Sequence, residues 1–162
     1  MKMLKSFKPI INKDSKILIL GSMPGIKSLE AAEYYAHPNN RFWKIMAVIC
    51  KHPNLEKSDY KTKTEILLKN NIALWDVIKS CEREGSLDSN IQKVMPNNIS
   101  KLLKEYKNIE KICCNGATSY SLFKKHFKNT ESKIYALPST SPANAKYSFE
   151  KLLEEWKKSV AD

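Results

Sequence analysis

The stretch Lys16–Trp43, KILILGSMPGIKSLEAAEYYAHPNNRFW, decides how the chain is read. Its opening, Lys16 to Gly21 (KILILG), is a short continuous apolar run that stops at a glycine, the pattern of a buried strand. Gly21-Ser22-Met23-Pro24-Gly25 then makes a tight turn, whose backbone amides and Ser22 hydroxyl could hold an anion or a polar base edge. A plain strand-to-loop turn accounts for the same residues. No Gly-Lys-Ser/Thr follows, so the P-loop pattern is not met. The segment continues through Tyr34-Tyr35-Ala36-His37-Pro38-Asn39-Asn40-Arg41-Phe42-Trp43, where aromatic, amide and imidazole groups crowd together.

Outward from this stretch, short apolar runs alternate with helical periods. Asn40 to Lys51 places Phe42, Ile45, Met46 and Ile49 at i, i+3, i+4 and i+7, the stripe of an amphipathic helix. Ser58 to Asn70 reads as a second helix, Ile72 to Ile78 as a strand, and Lys79 to Asn90 as a polar loop. A helix around Ile99 to Tyr106 precedes a strand at Ile109 to Cys114 and a helix from Ala117 to Phe127. The last strand, Lys133 to Leu137, leads through a Pro/Ser/Thr loop to a helix beginning near Lys146, with Phe149, Leu152, Leu153 and Trp156 on one face. Strands alternating with helices predict an α/β fold of three layers, α/β/α, around a central, mostly parallel four-stranded sheet. In such sheets ligands bind outside the strands' carboxyl ends. Three polar segments are expected to gather there: Gly21 to Arg41, Asp76 to Asn90, and Pro138 to Lys146.

The 162 residues, 42% hydrophobic and 28% charged, suit one soluble globular domain spanning residues 1–162. No apolar run is long enough to span a bilayer, and the basic start is broken by lysines and a proline, unlike a signal peptide. A cytoplasmic monomer without membrane association is expected. The net charge is +11, and all but two of the 28 basic residues, Arg41 and Arg83, are lysines. A Lys/Asn/Ile-rich composition can reflect an AT-rich genome, yet the charge still favours polyanions such as nucleic acid near the surface. Cys50, Cys81, Cys113 and Cys114 contain no CxxC pair, and adjacent cysteines on a strand point to opposite faces. Reduced, buried thiols are expected, with no metal and no cofactor.

Several residues could carry chemistry, and each has a plainer structural use. Asn40 could cap the helix that follows, which its spacing ahead of Arg41-Phe42-Trp43 favours. Tyr35 could be an ordinary core aromatic, and His37 before Pro38 fits a structural hydrogen-bonder as well as an acid or base. Asp76 could accept from a purine ring NH or be a surface carboxylate. Asn115 could meet a ligand or cap the next helix. Ser139, Thr140, Ser141, Pro142, Ala143 and Asn144, with Lys146 beyond them, form a loop whose hydroxyls and helix dipole could grip phosphate.

The pattern GxxPG, about ten residues, then an aromatic followed by AHPxNRFW, resembles the first motif of the uracil-DNA glycosylase superfamily. The segments IALWDVIKSCEREGSLDSNI, ICCNGATSY and LPSTSPAN are similar to its hypoxanthine (deoxyinosine) branch, related to the mismatch-specific uracil/thymine enzymes. The likeness runs from Ile17 to Trp156 in consistent order. It implies a uracil-DNA glycosylase-like sheet and a pocket for the flipped base formed by Gly21, Ser22, Met23, Tyr35, His37, Asp76 and Asn115. In much of the superfamily the third position of GxxPG is Asp or Asn and positions the attacking water; Met23 stands there. The resemblance therefore moves the catalytic burden to Asn40, with Asn39 as the neighbouring candidate, and makes Tyr35 the stacking platform. It likewise makes Ser139 to Asn144, with Lys146, the DNA-gripping loop. Ser139 replaces a histidine of the superfamily, and Ala143 holds the position of its wedge.

The function implied is a monofunctional DNA glycosylase removing a deaminated base from DNA, hypoxanthine before uracil. A uracil or mismatch-uracil glycosylase on the same fold, a non-catalytic nucleic-acid-binding module and an unrelated nucleotide-binding α/β protein remain as alternatives. The last is disfavoured by the absence of a P-loop or GxGxxG.

Overall fold

A computed structural model describes residues 2–161. In chain order it runs β1 (Met3–Lys5), β2 (Ile17–Gly21), α1 (Ile26–Ala31), α2 (Phe42–Ile49), α3 (Tyr60–Lys69), β3 (Ile72–Asp76), β4 (Ile78–Glu82), β5 (Gln92–Pro96), α4 (Ile99–Glu105), β6 (Lys111–Asn115), α5 (Ala117–His126), β7 (Lys133–Leu137) and α6 (Phe149–Val160). Four strands form the central sheet in the order β3-β2-β6-β7, with every neighbouring pair parallel.

The pleat sorts the apolar runs onto two faces. Ile19, Leu74 and Cys113 join Phe42, Trp43 and Ile45 of α2, Leu67 of α3, and Leu152 and Trp156 of α6 in one core layer. Their neighbours Leu18, Leu20, Ala73, Ile112 and Cys114 face the other way, onto Ile99 and Leu102 of α4 and Phe123 of α5. A run buried on both faces lacks the alternation of a half-exposed strand, which is why KILILG reads as continuous. The adjacent Cys113 and Cys114 fall in opposite layers, as their spacing predicts, and both are free thiols. Among the described residues no helix is long and apolar enough to cross a membrane.

The structure corrects the reading of several segments. Lys79 to Asn90 is not all loop, and the strand expected over Ile72 to Ile78 ends at Asp76. Beyond Val77, β4 enters a second, antiparallel sheet of order β1-β4-β5. The crossing is fixed on three sides: Val77 N and Ile78 N donate to the carbonyls of Gly21 and Ser22, and Asn97 N donates to Val77 O. The buried Asn97 amide adds a bond to Asp76 O at 2.8 Å. Gly21 to Arg41 also contains a short helix, α1. Finally, α6 starts at Phe149 rather than near Lys146, with Ser148 as its cap accepting from Lys151 N.

Candidate active site

The last residues of the four central strands, Gly21, Asp76, Asn115 and Leu137, all line one cavity of about 870 Å³. That volume lies within the usual range for small-ligand pockets. The sheet order dictates the position: the chain leaves β2 toward β3 on one side and returns to β6 on the other. The turn after β2 and the start of α5 therefore splay apart and open a crevice. All three polar segments reach it, as expected.

At the floor, Gly21 pairs in register with Asp76. A Cβ on Gly21 would lie 2.5 Å from Asp76 Oδ1 and 3.2 Å from the Tyr35 hydroxyl, so only glycine leaves both groups in place. Asp76 is 3% exposed, and its Oδ2 has no hydrogen-bond partner within the protein. It is thus no surface carboxylate. Burial, and after it the negative charge of Asp88, push its pKa up to about 7, while Arg83 pulls the other way. The same cavity edge holds Ser22, whose Oγ donates to Asp88 Oδ1 at 2.8 Å, and Met23, which packs with Ile78 and Cys81. Gly21→Ala is expected to displace the Asp76 carboxyl and to cut substrate turnover at least about tenfold while costing only about 1–3 kcal/mol of stability. Steady-state kinetics beside thermal melting checks this.

Tyr35 and Asn40 form the wall on the α2 side. The Tyr35 ring stacks on Phe42 at 4.1 Å between centroids and 21° between planes. Its backbone sits in the left-handed region, φ 55°, a strain of about 1–3 kcal/mol typical of functional segments. Burial, and then the charge of Asp76, hold its phenol protonated well above the ordinary range. Phe42 and Trp43 are core residues, 0% and 3% exposed. Asn40 lines the cavity, and its Oδ1 accepts from Phe42 N at 2.9 Å at the start of α2. The amide therefore does serve the helix start, and its NH₂ is the uncommitted end. Asn39 is exposed and does not line the cavity. His37 does line it; its Nδ1 accepts from Asn39 N at 3.0 Å, which leaves Nε2 as the protonated nitrogen of the neutral ring.

The opposite rim is the loop after β7. Asn115 does not cap α5, whose N-cap is Gly116. Instead its Nδ2 donates to Thr140 Oγ1 and its Oδ1 accepts from Thr140 N, both at 3.0 Å. Thr140 is fully buried, so its hydroxyl cannot grip phosphate, contrary to expectation. Gly116 has φ 99°, and a Cβ there would press on Ser139 at 3.3 Å. Ser139 Oγ and Ser141 Oγ accept from the amides of Ser141 and Ala143, which leaves their O–H groups as donors. Pro142, Ala143 and Lys146 are exposed, and Asn144 Nδ2 donates to Ser139 O at 3.0 Å. All of these line the cavity mouth.

Sequence reasoning missed three contributors. Arg41 donates to the carbonyls of Tyr147, Ser141 and Asn144, and so ties the Asn40 segment to the loop after β7. Arg83, 5% exposed, donates to Pro24 O and Gly85 O and fastens the Gly21–Gly25 turn to the loop after β4. Asp88 reaches Ser22 from that loop. The chain's two arginines thus brace the two rims. The signal that could have found them is their scarcity among so many lysines, because a rigid planar fork suits clasping several acceptors at once.

The model of the uracil DNA glycosylase superfamily matches residues 9–161. A hypoxanthine DNA glycosylase from Methanosarcina barkeri is 37% identical over 115 residues, covering 71% of this chain and 72% of that protein. A protein of the same description from Methanosarcina acetivorans is 33% identical over 144 residues, covering 89% and 90%. A candidate uracil DNA glycosylase from M. acetivorans, solved by solution NMR, superposes with a TM-score of 0.87 at 31% identity and covers 99% and 98% of the two chains. With its strand ends, glycine turn and closing loop gathered on one crevice, the chain belongs to the uracil DNA glycosylase superfamily.

Proposed function

We propose that the protein is a monofunctional DNA glycosylase that hydrolyses the N-glycosidic bond of a deaminated base, hypoxanthine in preference to uracil, in base-excision repair. The observation that carries this reading is Asp76 Oδ2, buried without a protein partner at the floor of a cavity of about 870 Å³ with room for a flipped nucleotide. Buried polar atoms are normally paired, and one left open in a cleft marks a place where a ligand completes the set. The names of the two Methanosarcina relatives support hypoxanthine as the base.

The damaged nucleotide rotates out of the duplex into the crevice, which costs a few kcal/mol and less at a mispair. Hypoxanthine presents a ring N–H beside a carbonyl. A neutral carboxyl meets that edge with one acceptor and one donor, the role assigned to Asp76. Tyr35, supported from behind by Phe42, lies along the base, while Gly21, Ser22, Met23, His37 and Asn115 shape the pocket. As the C1′–N9 bond breaks, negative charge grows on the base and positive charge on the sugar. The Asn40 NH₂ donates to the departing base, and water adds to the sugar carbon. Met23 orients no water, since a thioether is a weak acceptor. Ser139, Ser141, Asn144 and Lys146 meet phosphates at the mouth. No step needs an amine nucleophile, so the product is an abasic site and not a strand break.

Purified protein is tested on duplexes bearing one deoxyinosine, deoxyuridine or deoxyxanthosine, followed by alkali to cut abasic sites. The deoxyinosine strand should be cut fastest. Cutting of the uracil duplex alone would overturn the choice of base. Silence on all three would favour a non-catalytic nucleic-acid-binding module.

A further inference from the structure

Two large apolar side chains stand exposed on the cavity mouth: Leu87 is 54% exposed and Ile26 is 44% exposed. Both lie on the β2–β3 side, away from the loop that follows β7. Leu87 joins none of the hydrophobic clusters that form the interior. Nor is it a side chain on a loose loop. Arg83 Nε donates to Gly85 O at 2.7 Å, Ser22 Oγ to Asp88 Oδ1 at 2.8 Å, Ile26 N to Ser86 Oγ at 2.9 Å, and Asn90 Nδ2 to Glu84 O at 3.2 Å. These bonds brace the residues on both sides of Leu87 and tie them to the turn after β2 and the start of α1. The arrangement holds an apolar group in water at a fixed place.

Lifting a nucleotide from a duplex leaves a gap between its neighbours, and proteins that unstack DNA commonly fill such gaps with an apolar wedge of Leu, Ile, Met or Phe. The wedge must stand beside the pocket that receives the base and must not yield when pressed into the stack. On the β6–β7 side the exposed tip is Pro142 and Ala143. Proline can also serve as a wedge, but its short ring and the alanine methyl reach less far than a leucine side chain. We propose that Leu87, with Ile26 held near it through the Ile26 N–Ser86 Oγ bond, is the wedge that enters the base stack when the nucleotide is flipped. The stack is then filled from the loop between β4 and β5. The proposal rests on the glycosylase reading and adds to it a positioning residue that does not touch the reacting atoms.

Leu87→Ala and Leu87→Met are compared with the unaltered protein on deoxyinosine in a duplex and in a single strand, under single-turnover conditions. A parallel duplex carries 2-aminopurine beside the deoxyinosine, where unstacking raises its fluorescence. Leu87→Ala should slow duplex excision by about tenfold or more, since unstacking costs a few kcal/mol. It should leave single-strand excision within about twofold and lose the 2-aminopurine signal, and Leu87→Met should restore both. Unchanged duplex excision, or equal losses on both substrates with the fluorescence signal intact, would overturn the wedge. Should the unaltered protein ignore single strands, the 2-aminopurine signal at saturating protein decides alone. Failure of the unaltered protein on every substrate would instead refute the glycosylase reading.

Discussion

Asn40→Ala is expected to lower single-turnover excision of hypoxanthine by about 10²–10³-fold, the loss typical of removing one donor aimed at developing charge. The side chain has two jobs, and they can be separated. Its Oδ1 accepts from Phe42 N just ahead of α2, whose N-cap is Arg41 and not Asn40, a contact worth about 1 kcal/mol. Losing that contact lowers Tm by a few degrees without unfolding the protein. Its NH₂ is the free end, to which the proposed mechanism gives the task of stabilising the departing base. Asn40→Asp keeps an acceptor for Phe42 N and removes both donors. If only that contact mattered, the aspartate variant would retain activity. The proposed role requires it to be as inactive as the alanine variant, with a Tm close to that of the unaltered protein.

The second large effect belongs to Asp76. Asp76→Ala should reduce excision by about 10²-fold, in the range for loss of a positioned proton donor. Asp76→Asn is the more informative change, because an amide keeps one donor and one acceptor but cannot ionise. In the unaltered protein Asp76 titrates near pH 7, and an ionised carboxylate would face a base that is itself becoming negative. Excision by the unaltered protein should therefore decline as pH rises through about 7, while Asp76→Asn should show no such decline. The charged and titratable groups around this carboxyl are Asp88 and Arg83 from the β4 side and Tyr34, Tyr35 and Tyr60 from the α1–α3 side. The tyrosines are held neutral well past this range, so the limb reports Asp76 coupled to Asp88. The sign of the stability effect follows from the same shift. Unfolded, the carboxyl ionises near pH 4, and folded it keeps its proton to about 7. Between these values the unfolded state binds fewer protons, so stability falls as pH rises. Asp76→Asn should remove that fall, and its Tm should gain on the unaltered protein at pH 8 more than at pH 5.

Much of this site could be read before any coordinate. KILILG formed a central strand, Lys133–Leu137 formed another with those bounds, and the i, i+3, i+4, i+7 stripe at Phe42 formed α2. The crevice followed because parallel strands end on one edge, and the turn-rich segments lay at those ends. The small antiparallel sheet did not show, because Lys79, Ser80 and Lys93 give β4 and β5 the polar look of a loop and register shifts break the alternation of β4. Thr140 looked like a phosphate ligand because a hydroxyl in a Ser/Thr cluster carries no mark of burial; Asn115, 25 residues away in sequence, is what seals it. Arg41 and Arg83 offered no signal beyond their scarcity, for a related reason. Their partners are backbone carbonyls, which every residue has. That Asp76 Oδ2 is buried without a partner likewise depends on where the chain crosses from β3 to β4, a long-range feature fixed by Asn97.

The most direct test of the account is to measure the free base itself. A duplex containing deoxyinosine is incubated with excess protein, and released hypoxanthine is quantified by chromatography beside the strand products before and after alkali. The account predicts one hypoxanthine per abasic site, with intact strands until alkali is added. Strand scission without alkali, or abasic sites with no hypoxanthine released, would contradict it.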